Sequence, residues 1–202
     1  MTIFFVFDYK GKPAYGFIGI YFGTAKESPF FVVEFENTNN CAIWADIDVE
    51  GTTLRVISVH MQTTSFDRMR SKAAQARAAA NEEGERQIYL NFTDNLESNM
   101  IERANQALMV EEIMKSTNHP TILCGDFNDT PGTYTYETLK GDMKDGFQTG
   151  GKGFAWTYRG LYNLLRIDYI FHSKELKGLE YESMDYEMSD HNPVMMTLCI
   201  EE

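Results

Sequence analysis

From Ser65 to Lys115 the chain is dominated by Ala, Glu, Arg, Gln and Met, whereas the stretches on either side are rich in β-branched and aromatic residues. A helical block between strand-forming flanks means a chain that mixes helices and strands, because helix formers and strand formers occupy separate segments. Its 202 residues suit one core, so residues 1–202 are read as a single domain. No fixed-period repeat and no long Pro, Gly or Ser linker divides them.

On the amino-terminal side, Ile3 to Phe7, Phe17 to Phe22 and Phe30 to Phe35 read as strands, the first two joined by a turn over Asp8 to Pro13. In Ile43 to Val49 apolar residues alternate with Asp46 and Asp48, which predicts one buried face and two solvated acids. Glu50-Gly51 then makes a tight link to a strand from Leu54 to Gln62, on which Ser58, His60 and Gln62 share a face. Within the helical block, Leu96, Met100, Ile101, Ala104, Ala107 and Leu108 recur at helical spacing. That stripe is expected on the sheet, with Glu97, Glu102, Arg103 and Glu111 outward. The earlier segment Ser71 to Ala80 has high helix propensity but little bulky apolar surface, and Gly84 weakens its continuation.

Thirty acids against 18 Lys plus Arg give a net charge of −12, which repels a polyanion such as duplex DNA. No basic and aromatic stripe suited to stacking single-stranded bases is present. Cys41, Cys124 and Cys199 each lie in or beside apolar stretches and are expected to be reduced thiols. The opening apolar run is too short for a signal peptide and no stretch approaches the length of a membrane span, so a soluble chain is expected, its compartment open.

The apolar run Thr121-Ile122-Leu123-Cys124 ends in Gly125-Asp126-Phe127-Asn128-Asp129. If the backbone stays extended, Asp126 and Asn128 project to one side, an anion beside an amide, which suits activation of a water at a phosphoryl centre. The same residues also spell an ordinary turn. Asp168 interrupts the apolar strand Arg166 to Phe171, and a buried acid there needs a partner. His191, in Ser189-Asp190-His191-Asn192-Pro193, is one such partner and Arg166 another. A carboxylate-held imidazole has its tautomer and orientation fixed for proton transfer or phosphate binding, and Asp190 is left for a hard cation.

Taken together, Gly125-Asp126-Phe127-Asn128, Arg166 to Phe171 and Ser189 to Val194 stand in the order and rough spacing of the deoxyribonuclease I-like endonuclease/exonuclease/phosphatase superfamily, which the layout resembles from about Phe17 to the end. Val59-His60-Met61-Gln62 resembles the strand-end histidine motif of that superfamily, and Trp156-Thr157-Tyr158 precedes the Asp168 strand as it does there. The resemblance implies a four-layer αββα sandwich of two packed mixed β-sheets with the site where strand ends of both meet. It also implies hydrolysis of a phosphodiester or phosphomonoester with Mg²⁺ or Mn²⁺. By the same resemblance Asp126 positions or activates the water, Asn128 holds that nucleophile or the phosphate, His191 and His60 contact phosphate, Asp168 orients His191, and Asp190 binds the metal.

The resemblance also implies an upstream Asn strand and a Gln-Glu strand whose Glu is the principal metal ligand, and neither occurs in the first seventeen residues. The chain is therefore expected to be the carboxyl-terminal two-thirds of such an enzyme, lacking its first strands. Alternatives are a catalytically incomplete, phosphate-ligand-binding form and a fragment that self-associates through an exposed sheet edge, with Ile3, Phe5 or Phe17 on the exposed surface. A small phosphorylated molecule, a lipid headgroup or a nucleic acid all remain substrates, with Lys152, Arg159 and Arg166 as basic residues for a phosphate pocket.

Overall fold

A computed structural model describes residues 2–6, 17–21, 29–36, 38–64, 66–185 and 189–200. Its elements are β1 (Thr2–Val6), β2 (Phe17–Tyr21), β3 (Phe30–Glu34), β4 (Cys41–Val49), β5 (Thr52–His60), α1 (Phe66–Ala78), α2 (Glu82–Lys115), β6 (Thr121–Asp126), α3 (Tyr134–Lys140), β7 (Lys144–Asp145), α4 (Gly146–Gly150), α5 (Gly160–Asn163), β8 (Asp168–His172), β9 (Leu176–Ser183) and β10 (Val194–Ile200). They form a four-stranded sheet in the order β2-β1-β10-β9 and a six-stranded sheet in the order β3-β4-β5-β6-β8-β7. The larger sheet is mixed, since β5 and β6 run parallel and the remaining pairs antiparallel.

Period-two alternation assigns the two faces of the larger sheet to two cores. Leu54, Val56, Ile122, Cys124 and Ile170 face Tyr181, Val194, Met196 and Leu198 of the smaller sheet. Ile57, Val59, Leu123, Tyr169 and Phe171 point the other way and are covered by Ala107 and Val110 of α2 and by Tyr136 and Leu139 of α3. This mixed α/β arrangement of two packed sheets, with helices over the six-stranded one, agrees with the expected fold class. The parity that sends Val56 and Ile122 between the sheets also sends His60, Asp126 and Asp168 there. These three lie at strand ends, so polar groups cap the inter-sheet core where the strands run out.

Several local expectations are corrected. Gly84 does not weaken the helix but lies in the first turn of α2, where its N–H donates to the Asn81 cap at 2.9 Å after a break at Ala79–Asn81. The buried residues of α2 are Arg103, Gln106, Ala107 and Val110, while Met100, Ile101 and Leu108 are exposed. The stripe was misjudged because two polar side chains occupy it, and hydrogen bonds to the loop after β5 satisfy both. Asp46 is not merely solvated. It lies opposite Arg55 in the β4–β5 register and accepts two 2.8 Å bonds from that guanidinium. Strand β9 was not anticipated, and the expected turn over Asp8 to Pro13 lies outside the described residues. So do the side chains of Ile3, Phe5 and Phe17. No described helix is long and apolar enough to cross a membrane.

Candidate active site

The last residues of β5 and β6 and the first of β8 are neighbours in register, His60 beside Asp126 and Asp126 beside Asp168. The close approach of β5 and β6 depends on Gly125, where a Cβ would lie 1.9 Å from the Val59 carbonyl oxygen. Beyond Asp126 the chain does not remain extended. Asn128 is left-handed (φ 50°), its N–H donates to Asp126 Oδ1 at 2.7 Å and its Nδ2 to Asp126 Oδ2 at 2.8 Å. The turn, rather than strand alternation, brings the amide to the acid. Nδ2 also donates to the Met61 carbonyl at 3.1 Å. A reversed amide would set its oxygen against two acceptors, so the geometry fixes Oδ1 as the atom Asn128 presents elsewhere.

Asp168 is held from behind by Thr157, whose Oγ1 accepts from the N–H groups of Ile167 and Asp168, both at 3.0 Å. The segment carrying Asp190 and His191 is sewn to the same loop. Arg159 N–H donates to the Asp190 carbonyl at 2.8 Å and Asn192 N–H to the Thr157 carbonyl at 2.6 Å. His191 Nδ1–H then meets Asp168 Oδ2 at 2.9 Å, the partnership weighed from sequence, while Arg166 pairs with Asp145 instead. His60 Nε2 lies 3.6 Å from Asp126 Oδ2.

Electrostatics divide the two histidines. Burial and the nearby His191 pull His60 down to about 4, so it is neutral. Burial also pulls His191 down, but Asp168, Asp126 and Asp190 outweigh it and raise the imidazole to about 10. Burial and Asp168 push the Asp126 carboxyl up to about 7, against His191 and the Asn128 N–H. A cationic imidazole thus sits among carboxylates, one of which is poised to exchange a proton near neutrality.

Of the site residues singled out from sequence, His60, Asp126, Asn128, Asp190 and His191 line one cleft, and Asp168 is buried behind it, joined to His191. Ligand atoms of Asp126, Asp168 and His191 all lie within 4.8 Å of one another, while Asp190, exposed at the edge, is outside that group. Asp168 Oδ1 is buried with no hydrogen-bond partner among the described residues. Two carboxylates, one carrying an unsatisfied buried oxygen, fit a hard divalent cation.

Arg103 was missed. It is 2% exposed, lines the cleft, and donates to Asp129 (3.3 Å), the Gln62 carbonyl (3.1 Å) and Thr64 Oγ1 (3.2 Å), tying the loops that follow β5 and β6 to α2. Gln106 assists by accepting from the Gln62 N–H at 2.8 Å. The one signal for the pair was their spacing from Ala107 and Val110 on the helix. Arg159 pairs with Asp185, and Lys152 is exposed and is not among the cleft residues.

A family model, that of the Endonuclease/Exonuclease/phosphatase family, matches residues 5–191, and the chain belongs to this family. Among solved structures it is similar to a mannosyl-6-phosphatase of Bacteroides thetaiotaomicron VPI-5482, with TM-score 0.57 and 18% identity over 86% of this chain and 66% of that one. It is also similar to an endonuclease/exonuclease/phosphatase of Bacteroides vulgatus, with TM-score 0.58 and 20% identity over 88% and 67%. A third is D. rerio TDP2 complexed with a single-strand DNA product, with TM-score 0.58 and 15% identity over 87% and 68%. At these identities the likeness is one of fold, and this chain spans about two-thirds of each of these relatives. No curated protein matches it.

Proposed function

We propose that the cleft hydrolyses a phosphodiester or phosphomonoester with the help of Mg²⁺ or Mn²⁺. The observation that carries this is the His191–Asp168 pair within 4.8 Å of Asp126, which the Asn128 turn holds, together with an orphaned buried oxygen on Asp168. Asp126 takes the proton of the attacking water, since a carboxyl raised to about 7 is matched to that transfer at neutral pH. Asn128 holds the same water through Oδ1, its Nδ2 being engaged by Asp126 and Met61. His191, cationic and oriented by Asp168, donates from Nε2 to a phosphate oxygen, and His60 contacts the phosphate as a neutral imidazole. Asp168, through its unpartnered Oδ1, would hold the cation with Asp190 at the rim, and the ion would supply Lewis-acid stabilisation of charge on the phosphoryl oxygens.

The test is turnover of a bis-aryl phosphodiester and an aryl phosphate with Mg²⁺ or Mn²⁺. Activity should vanish with EDTA, and Asp126→Asn or His191→Ala should lower kcat by about 10²- to 10⁴-fold. EDTA-resistant turnover, or variants as fast as the parent, would refute this assignment. Phosphate binding without any turnover would leave the family fold as a binding site alone.

A further inference from the structure

The cleft, about 560 Å³, is lined by two unlike sets of side chains. One comprises His60, Asp126, Asn128, Asp190 and His191; the other is apolar, with Phe66 of α1, Leu96 and Met100 of α2, and Leu161, Leu165 and Ile167 of the loop before β8. Met100 is 49% exposed although it sits within a lined cleft, and apolar surface left open beside catalytic groups marks a place where a ligand covers it. Leu161 reaches this wall from a turn in which it, Tyr162 and Asn163 are all left-handed (φ 49°, 62° and 55°). Such backbone is sparsely populated outside glycine and gathers at ligand sites. Gly160 permits the turn to fold back on Tyr158, because a Cβ there would lie 2.4 Å from the Tyr158 ring.

Two polar side chains of the lining, Asn40 and Thr64, are committed to the fold. Asn40 Nδ2 donates to the Met61 carbonyl at 2.9 Å, and Thr64 is taken up by Arg103 and the Asn128 carbonyl. A polyol would find those groups engaged. Apart from His191, the cations among the described lining residues are Arg68 and Arg103, and Arg103 already serves Asp129 and Gln62. A polyanionic strand would find no basic track.

We propose that the substrate is a small phosphate ester whose group next to the phosphate is apolar or aromatic and packs against Phe66, Leu96, Met100 and Leu161. This rests on the phosphoesterase reading above and goes beyond it in naming the esterified group. The experiment is calorimetric titration of the full chain with methyl phosphate, phenyl phosphate and glycerol phosphate. Phenyl phosphate should bind roughly ten-fold more tightly than methyl phosphate, as burial of part of a ring implies. In a Leu96→Ser, Met100→Ser double variant that ratio should fall toward one. Independently of any variant's folding, the Met100 methyl NMR signal of the parent should shift with phenyl phosphate and not with methyl phosphate. Equal affinity for phenyl and methyl phosphate, tighter binding of glycerol phosphate, or a Met100 signal indifferent to the ring would overturn the proposal while leaving the phosphoesterase reading standing. Loss of phosphate recognition altogether, with methyl phosphate binding no better to the parent than to His191→Ala, would remove both.

Discussion

Each titrating group here is set by what surrounds it, and His172 shows this away from the cleft. It is buried in β8, its Nδ1–H donates to the Ser173 carbonyl at 3.0 Å, and Nε2 faces the Thr149 hydroxyl at 3.1 Å. Burial holds it below the ordinary 6.5. With the folded value depressed, the unfolded chain binds the proton first as pH falls below about 6.5, so the neutral ring's contribution is lost on acidification. Urea midpoints between pH 7.5 and 5 should fall less steeply in His172→Asn than in the parent, and equal slopes would contradict this. At the same scale, Asp126, Asp168 and His191 were legible because a charge ending or interrupting an apolar strand needs a partner. Arg103 was not, because a charged residue between apolar helix positions looks the same whether it faces water or is sewn into a loop. Its partners, Gln62, Thr64 and Asp129, lie 26 to 41 residues away.

Among elements, strands were easier to read than helix faces. β4, β5, β6 and β10 carry strict alternation or unbroken apolar runs, and their identity followed within a residue or two. The face of α2 was misread because the polar Arg103 and Gln106 stand in its buried stripe while Met100, Ile101 and Leu108 are exposed. β9 escaped notice because Lys177, Gly178, Glu180 and Glu182 dilute its pattern while pairing with β10 supplies its order. The contact between β5 and β6 is the most exacting in the larger sheet. In Gly125→Ala the added methyl would overlap the Val59 carbonyl at 1.9 Å in a backbone of φ +155°. The expected loss is about 3 kcal/mol or more by chemical denaturation, and His60 and Asp126 should move apart with the strands. A variant of parental stability would mean that the two strands have slack.

On the scale of the whole molecule, a net charge of −12 acts on every partner at once. If the chain avoids polyanions, a labelled duplex should show no measurable binding near 150 mM salt and none gained at 30 mM, where repulsion is less screened. Tightening on dilution of salt would expose a basic surface that the lining residues do not reveal. The long helix has a different consequence. All the buried residues of α2 lie from Arg103 onward, and its far end is fastened by Arg55, which donates to the Ile113 carbonyl at 2.9 Å and to Ser116 Oγ at 2.6 Å. The part before Arg103 runs about 30 Å at ~1.5 Å per residue. It is clasped to α1 by Phe66 against Phe92 and by the Arg77–Glu85 pair. Leu96 stands only about 10 Å from Arg103, so a tilt of about 5° there would move it by less than about 1 Å. Phe66, Leu96 and Met100 ride on the arm, whereas His60, Asp126 and Asp168 are riveted to the sheet. The cleft therefore joins a side fixed by strand register to a side carried on a helix segment in which no residue is buried.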